Sequence, residues 1–249
     1  MKIKLLLLGV LILILASCGS SQRVGKTGAA KSAQQLVTLS DEQQRKYDYF
    51  FLEATRLKGK KEYDAAFDLL KHCLTINPQA ASALYEISQY YMFLKQVPQG
   101  QAALEEAVES APDNYWYSQA LASLYQQQNE KEKAIGLLET MATRFPGKRE
   151  SLFALLDLYN QQEDYGKVIG TLDRLEEIMG KNEQLTMEKF RIYLQMKDDK
   201  SAFREIENLV KEYPMDMRYQ VILGDVYMQN GKKQEAYDIY QKVLATEPD

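Results

Sequence analysis

Gly25-Lys26-Thr27 has the letters that end a phosphate-binding loop. Such a loop places a glycine, four residues and then Gly-Lys-Ser/Thr, so that backbone amides wrap the phosphates before the lysine arrives. Here five residues, Ser20 to Val24, separate Gly19 from Gly25. The stretch that follows, Gly28-Ala29-Ala30-Lys31-Ser32, has no helical periodicity. Both spacing and context argue against a nucleotide site. The single histidine, His72, sits beside Cys73. Neighbours in sequence diverge on a helix, and one His with one Cys cannot complete a zinc site. Acid pairs such as Glu105-Glu106 and Glu176-Glu177 diverge in the same way. With no Ser/His/Asp set either, the chain is expected to carry no catalytic residues, no metal and no cofactor, and not to be an enzyme.

Cys18 offers different chemistry. Lys2 and Lys4 form a positive start, and Leu5 to Leu15 is an eleven-residue apolar run. That run is too short to span a bilayer, which takes about 20 apolar residues. Leu15-Ala16-Ser17-Cys18 then resembles the lipobox of bacterial lipoproteins. The resemblance implies cleavage after residue 17 and lipidation of Cys18, including palmitate, which anchors the chain to a membrane. The alternative is an ordinary secretory signal with an incidental cysteine. If Cys18 carries lipid, Cys73 has no disulfide partner and reads as a small buried hydrophobe.

The composition, 45% hydrophobic and 27% charged, is that of a soluble fold. Of 31 basic residues, five (Lys2, Lys4, Arg23, Lys26, Lys31) precede residue 40, leaving 26 against 35 acids and a net of −9. An acidic body excludes a nucleic-acid partner, which needs a basic footprint. Residues 18–39 are rich in Ser, Gly, Ala, Lys and Gln and read as a flexible tether whose ends lie roughly 25 Å apart. Ser40 and Gln43 then fit a capping box.

Beyond residue 40 the sequence repeats itself. Tyr91, Tyr125, Tyr159, Tyr193 and Tyr227 are 34 residues apart, with Leu57 one period earlier. Pro78, Pro112, Pro146, Pro214 and Pro248 share the period, Gly180 filling the gap. So do Leu70, Leu104, Leu138, Leu172, Ile206 and Tyr240, and the slim series Ala66, Gly100, Ala134, Val168, Ala202 and Ala236. Six units follow, near 47–80, 81–114, 115–148, 149–182, 183–216 and 217–249. In the last, Leu223, Gly224 and Tyr227 share one face of a first helix, Asn230-Gly231 turns, and Ala236, Tyr240 and Val243 share one face of a second. Slim residues at 224 and 236 let the helices approach, and proline ends the second. In unit 4, Leu156 and Val168 stand at the slim positions, which predicts wider helix spacing or a bend, local repacking without a bend being the alternative. In unit 5, Lys189 stands where apolar residues belong and Phe190 where a small one does.

This order resembles the tetratricopeptide repeat family over residues 47–249. The resemblance implies an all-α fold, a right-handed α-solenoid of six 34-residue helix-turn-helix repeats, with the first helix of each pair (helix A) lining a concave groove. Counting about 100° per residue, the groove positions of successive A helices include Tyr85, Gln89 and Met92, then Trp116, Gln119 and Gln126. Phe153, Asp157 and Asn160 follow, then Met187, Arg191 and Gln195. Amides can pair with a peptide backbone, and aromatics and methionines supply adaptable area, so protein or peptide partners are expected there. Trp116 suits an anchor, or packs against the preceding repeat. Thr55, Gln89 and Ser123 replace the Lys and Asn with which some relatives clamp a terminal carboxylate, which argues against that mode.

The second helix of unit 6 leaves Tyr237, Tyr240 and Leu244 without a following repeat. Either further repeats continue the chain, the preferred reading, or a partner docks there. The combined expectation is a non-catalytic, lipid-anchored scaffold for envelope assembly in a Gram-negative bacterium. Gly19 after the cysteine points to the outer membrane, facing the periplasm or the cell surface. The competing expectation is binding of glycan or wall fragments, with Tyr85, Trp116 and Phe153 stacking on sugar rings.

Overall fold

The computed structural model describes residues 38–246. The signal segment, Cys18, nearly all of the tether and Pro248 lie outside the described residues. Within them the chain forms twelve α-helices and no strand. They run α1 (Asp41–Gly59), α2 (Tyr63–Ile76), α3 (Ala81–Phe93), α4 (Val97–Ser110), α5 (Tyr115–Gln127) and α6 (Lys131–Arg144). Then come α7 (Glu150–Gln161), α8 (Tyr165–Met179), α9 (Glu183–Gln195), α10 (Asp199–Glu212), α11 (Met217–Gln229) and α12 (Lys233–Thr246). Each helix packs on the one before and the one after, as helical repeats stacked in a row must.

The turn inside every repeat has one construction. Lys61, Lys95, Asn129, Glu163, Lys197 and Gly231, spaced by 34 residues, all adopt φ between 55° and 75°. The N–H after each of these returns to the carbonyl of Leu57 or of the periodic tyrosine, at 2.8–3.0 Å. This is a Schellman cap, which satisfies carbonyls the helix end leaves orphaned. Only the last repeat spends a glycine on it, so five side chains occupy left-handed backbone. The second boundary is set by proline. The second helix of the pair (helix B) ends at Ile76, Ser110, Arg144 and Glu212, one residue before the cap that precedes each proline. Where Gly180 replaces proline, α8 runs one residue further, to Met179, and Gly180 caps it at φ 77°. The capping box at Ser40 is formed in full and opens α1 six residues ahead of the first repeat boundary.

Small residues sit where the helices of a pair cross. Ala66, Ala134, Val168, Ala202 and Ala236 have no exposed surface. A Cβ on Gly224 would stand 2.5 Å from the Tyr240 ring, so that ring lies directly on the glycine. Cys73 belongs to a further series, with Ala107, Met141, Leu175 and Leu209, buried in each of the first five repeats. Its thiol is unpaired, and burial pushes its pKa up to about 11, an inert hydrophobe rather than a nucleophile. His72 faces outward beside it and stacks on Phe50, ring centroids 5.7 Å apart.

Repeats 4 and 5 depart from the pattern differently from the expectation. Helices α7 and α8 do approach less closely than the pairs of repeats 1, 2, 5 and 6. Repeat 3, with Ala122 and Ala134 at the slim positions, is paired as loosely, so the larger side chains of repeat 4 do not set it apart. Lys189 is buried at 6% exposure and reaches from α9 to Asp173 and to Glu176 (2.7 Å) on α8. Burial alone would lower its ammonium pKa, but the two carboxylates outweigh that and hold it above the ordinary value. Phe190 is buried beside Ala202 and Ile206.

Candidate protein-binding face

The candidate site is built on the A helices of repeats 1 to 3. Between α1, α2 and α3, a pocket of about 230 Å³ is walled by Tyr63, Tyr90 and Phe93, with Lys58 and Gln89 at its edge. The Tyr63 ring lies 6.4 Å from Tyr90 and 6.5 Å from Phe93. Lys58 donates to Glu86 at 2.6 Å, and that carboxylate raises the ammonium pKa. Tyr90 is 8% exposed, and its hydroxyl finds no hydrogen-bond partner. At the same register in repeats 3 to 6 stand Leu124, Leu158, Ile192 and Val226, so a hydroxyl occupies a place that is aliphatic in the four repeats that follow. A second pocket, about 620 Å³, lies one repeat on. Met92, Val97, Leu124 and Gln127 line it, each 34 residues after a wall of the first, and Leu104 and Ala120 complete its floor. Gln89 borders both.

The face around the pockets is unusually neutral for a chain that is 27% charged. No Asp, Glu, Lys or Arg occurs in α5, and α3 has only Glu86, already paired. Such a surface favours apolar and neutral hydrogen-bonding groups, since an unpaired charge would be desolvated without compensation.

The structure brings Gln89 and Met92 together at the pockets and distributes the other expected residues along the array. Tyr85 is half-buried and stacks on Tyr117 at 4.7 Å, tying α3 to α5. Met92 also packs over Gly100, 3.1 Å from where a Cβ would stand. Trp116 is 68% exposed at the start of α5, edge-on to Tyr115 and 5.9 Å from the Lys148 ammonium. These contacts are with its own repeat. Gln119 accepts from the Tyr115 hydroxyl at 3.0 Å. Gln126, Asp157, Asn160 and Gln195 are exposed, as is Phe153. Arg191 is exposed and pairs with Glu188, while Met187 is half-buried against the core around Phe190. Tyr85, Met92 and Met187 thus serve partly as packing between neighbouring helices.

Reading the sequence by A-helix faces missed Lys58, Tyr63, Tyr90, Val97 and Leu124. Tyr63 and Val97 begin B helices, and Tyr90 and Leu124 occupy a core register. The odd hydroxyl of Tyr90 among aliphatics was the available signal. Among the described residues, no group of three or more His, Cys, Asp or Glu could hold a metal ion. Nor is any described helix long and apolar enough to cross a membrane.

Sequence profiles of the tetratricopeptide repeat match residues 57–124 and 188–249. The chain belongs to the tetratricopeptide repeat family. Its repeats generally mediate protein–protein interaction. A search of curated proteins returned no match. Among solved structures, a tetratricopeptide repeat protein from Parabacteroides merdae is 20% identical, with 82% of this chain and 81% of that one covered, at a TM-score of 0.50. The structure of Naa15/Naa10 bound to HypK-THB is 19% identical at a TM-score of 0.56, covering 84% of this chain. This chain spans about a third of that one, 33%. Likenesses at this identity speak for the fold alone.

Proposed function

We propose that the chain is a non-catalytic scaffold, anchored by lipid on Cys18 to the outer membrane, that holds protein or peptide partners along its A-helix face during envelope assembly. The observation that carries the binding half is the paired pockets on a stretch of that face where the only lining charge, Lys58, is paired with Glu86. The lipobox-like Leu15-Ala16-Ser17-Cys18 supports the anchoring half. The exposed face of α12, with Tyr237 at 56% and Leu244 at 65%, is suited to a further helix, whether from additional repeats or a partner.

Anchoring is tested by Cys18→Ser with metabolic labelling by an alkynyl palmitate. Loss of label and release from the membrane fraction are expected; unchanged label would contradict the assignment. Binding is tested by recovering partners from solubilised membranes with a Trp116→Ala, Tyr85→Ala double variant, for which reduced recovery is expected. The glycan reading draws on the exposed ring of Trp116, but Tyr85 already has one face covered by Tyr117. Capture on a glycan array in preference to protein partners would favour that reading.

A further inference from the structure

We propose that the two pockets read one ligand together: an uncharged, proline-containing peptide segment in polyproline II conformation, with apolar side chains three residues apart. This rests on the binding half of the proposed function and specifies its ligand. The pockets are the same structural site in consecutive repeats, since Lys58, Tyr63, Tyr90 and Phe93 correspond to Met92, Val97, Leu124 and Gln127. The Tyr85 and Tyr117 rings stack across α3 and α5, and helices in contact lie about 8–10 Å apart, so equivalent points on these A helices are separated by about 10 Å. A polyproline II helix rises about 3.1 Å per residue with three residues per turn, so residues i and i+3 face one side about 9 Å apart. A β-strand fails this test, because its i and i+3 side chains point to opposite faces.

The chemistry agrees with the spacing. The first pocket is three aromatic rings, the kind of wall that proline-rich segments use in other grooves. Gln89, on the border of both pockets, can donate to and accept from the peptide backbone between the two anchors. A polyproline II backbone has no internal hydrogen bonds, so its carbonyls are free. The hydroxyl of Tyr90 lacks an acceptor and has almost no exposed surface, so a ligand carbonyl supplies one once the ring swings toward the pocket. Charge matching selects a neutral segment: the one charged residue lining the two pockets, Lys58, is neutralised by Glu86, and α5 has none.

The test uses fluorescence anisotropy with full-length protein in mild detergent and three labelled peptides. One is Pro-Pro-Leu-Pro-Pro-Leu-Pro-Pro, the second separates the leucines by four positions, and the third replaces both leucines with glutamate. The first peptide is expected to bind at least tenfold more tightly than either control. Tyr63→Ala and Val97→Glu are each expected to weaken it about tenfold. Tyr90→Phe is expected to weaken it about fivefold while leaving the thermal midpoint of the free protein unchanged or higher, because it deletes an unpaired buried hydroxyl. Absent binding, indifference to leucine spacing, equal binding of the glutamate peptide, or insensitivity to all three substitutions would overturn the inference. Membrane pull-down with Tyr63→Ala separates the two levels. Partners still recovered alongside failed peptide binding leave the scaffold standing and sink only the polyproline reading.

Discussion

Five left-handed turn positions filled by Lys61, Lys95, Asn129, Glu163 and Lys197 cost conformational energy that Gly231 avoids. Glu163→Gly and Lys197→Gly are each expected to stabilise the array by about 0.5–1 kcal/mol, net of the extra freedom glycine gives the unfolded chain. Urea unfolding checks this, with no change expected in partner binding. A second residue-scale device joins the repeats. The Tyr125 hydroxyl donates to Glu105 and that of Tyr159 to Glu139, each at 2.8 Å and each reaching the preceding repeat. Burial first, and then the adjacent carboxylate, raises the Tyr159 pKa from 10.0 to about 12, and Tyr125 shifts in the same direction. A phenol whose pKa is higher folded than unfolded contributes stability fully present below pH 10, and loses it as pH rises toward the folded value. Stability should therefore fall between about pH 10 and 12, and less steeply in a Tyr125→Phe, Tyr159→Phe variant. Equal slopes for the two proteins would show that these bonds do not join the repeats.

The element scale turns on the joint between α8 and α9. The next tyrosine in the series, Tyr193, faces Asp173, but that carboxylate is engaged by Lys189. A buried cation thus takes over a place that hydrogen-bonded tyrosines hold elsewhere. Removing one partner of a buried ion pair strands the other, at a typical cost of about 3–5 kcal/mol. Lys189→Met should fall toward the lower end, because Asp173 remains half in water. A Lys189→Met, Glu176→Leu double variant should recover most of that loss, as measured by chemical denaturation. If the double variant is as unstable as the single, the cluster is not the source. This joint shows what sequence reading can and cannot reach. That Lys189 broke the repeat was legible from period alone. How it is accommodated was not, because the answer lies in Asp173 and Glu176 on a neighbouring helix, which the period does not connect to position 189.

At the scale of the whole molecule, the fold was open to reading because 34-residue periodicity is carried by independent residue classes. Tyrosines set inter-repeat contacts, prolines end helices, and slim residues set crossings, so each class checks the others. The binding face was less legible. Rotating positions around one helix finds Gln89, Trp116 and Gln126, but a pocket forms between elements, and Tyr63 and Tyr90 enter it from the start of a B helix and from a core register. Pocket pairing across repeats emerged only once those elements were placed. The central claim is that partners lie along the A helices of repeats 2 and 3. It is tested most directly by photo-crosslinking residues placed singly at Gln89, at Gln126 and, on helix B, at exposed Thr140. The account predicts one shared protein adduct from positions 89 and 126 and none from 140. An adduct from 140 alone, or equal yields from all three, would contradict it.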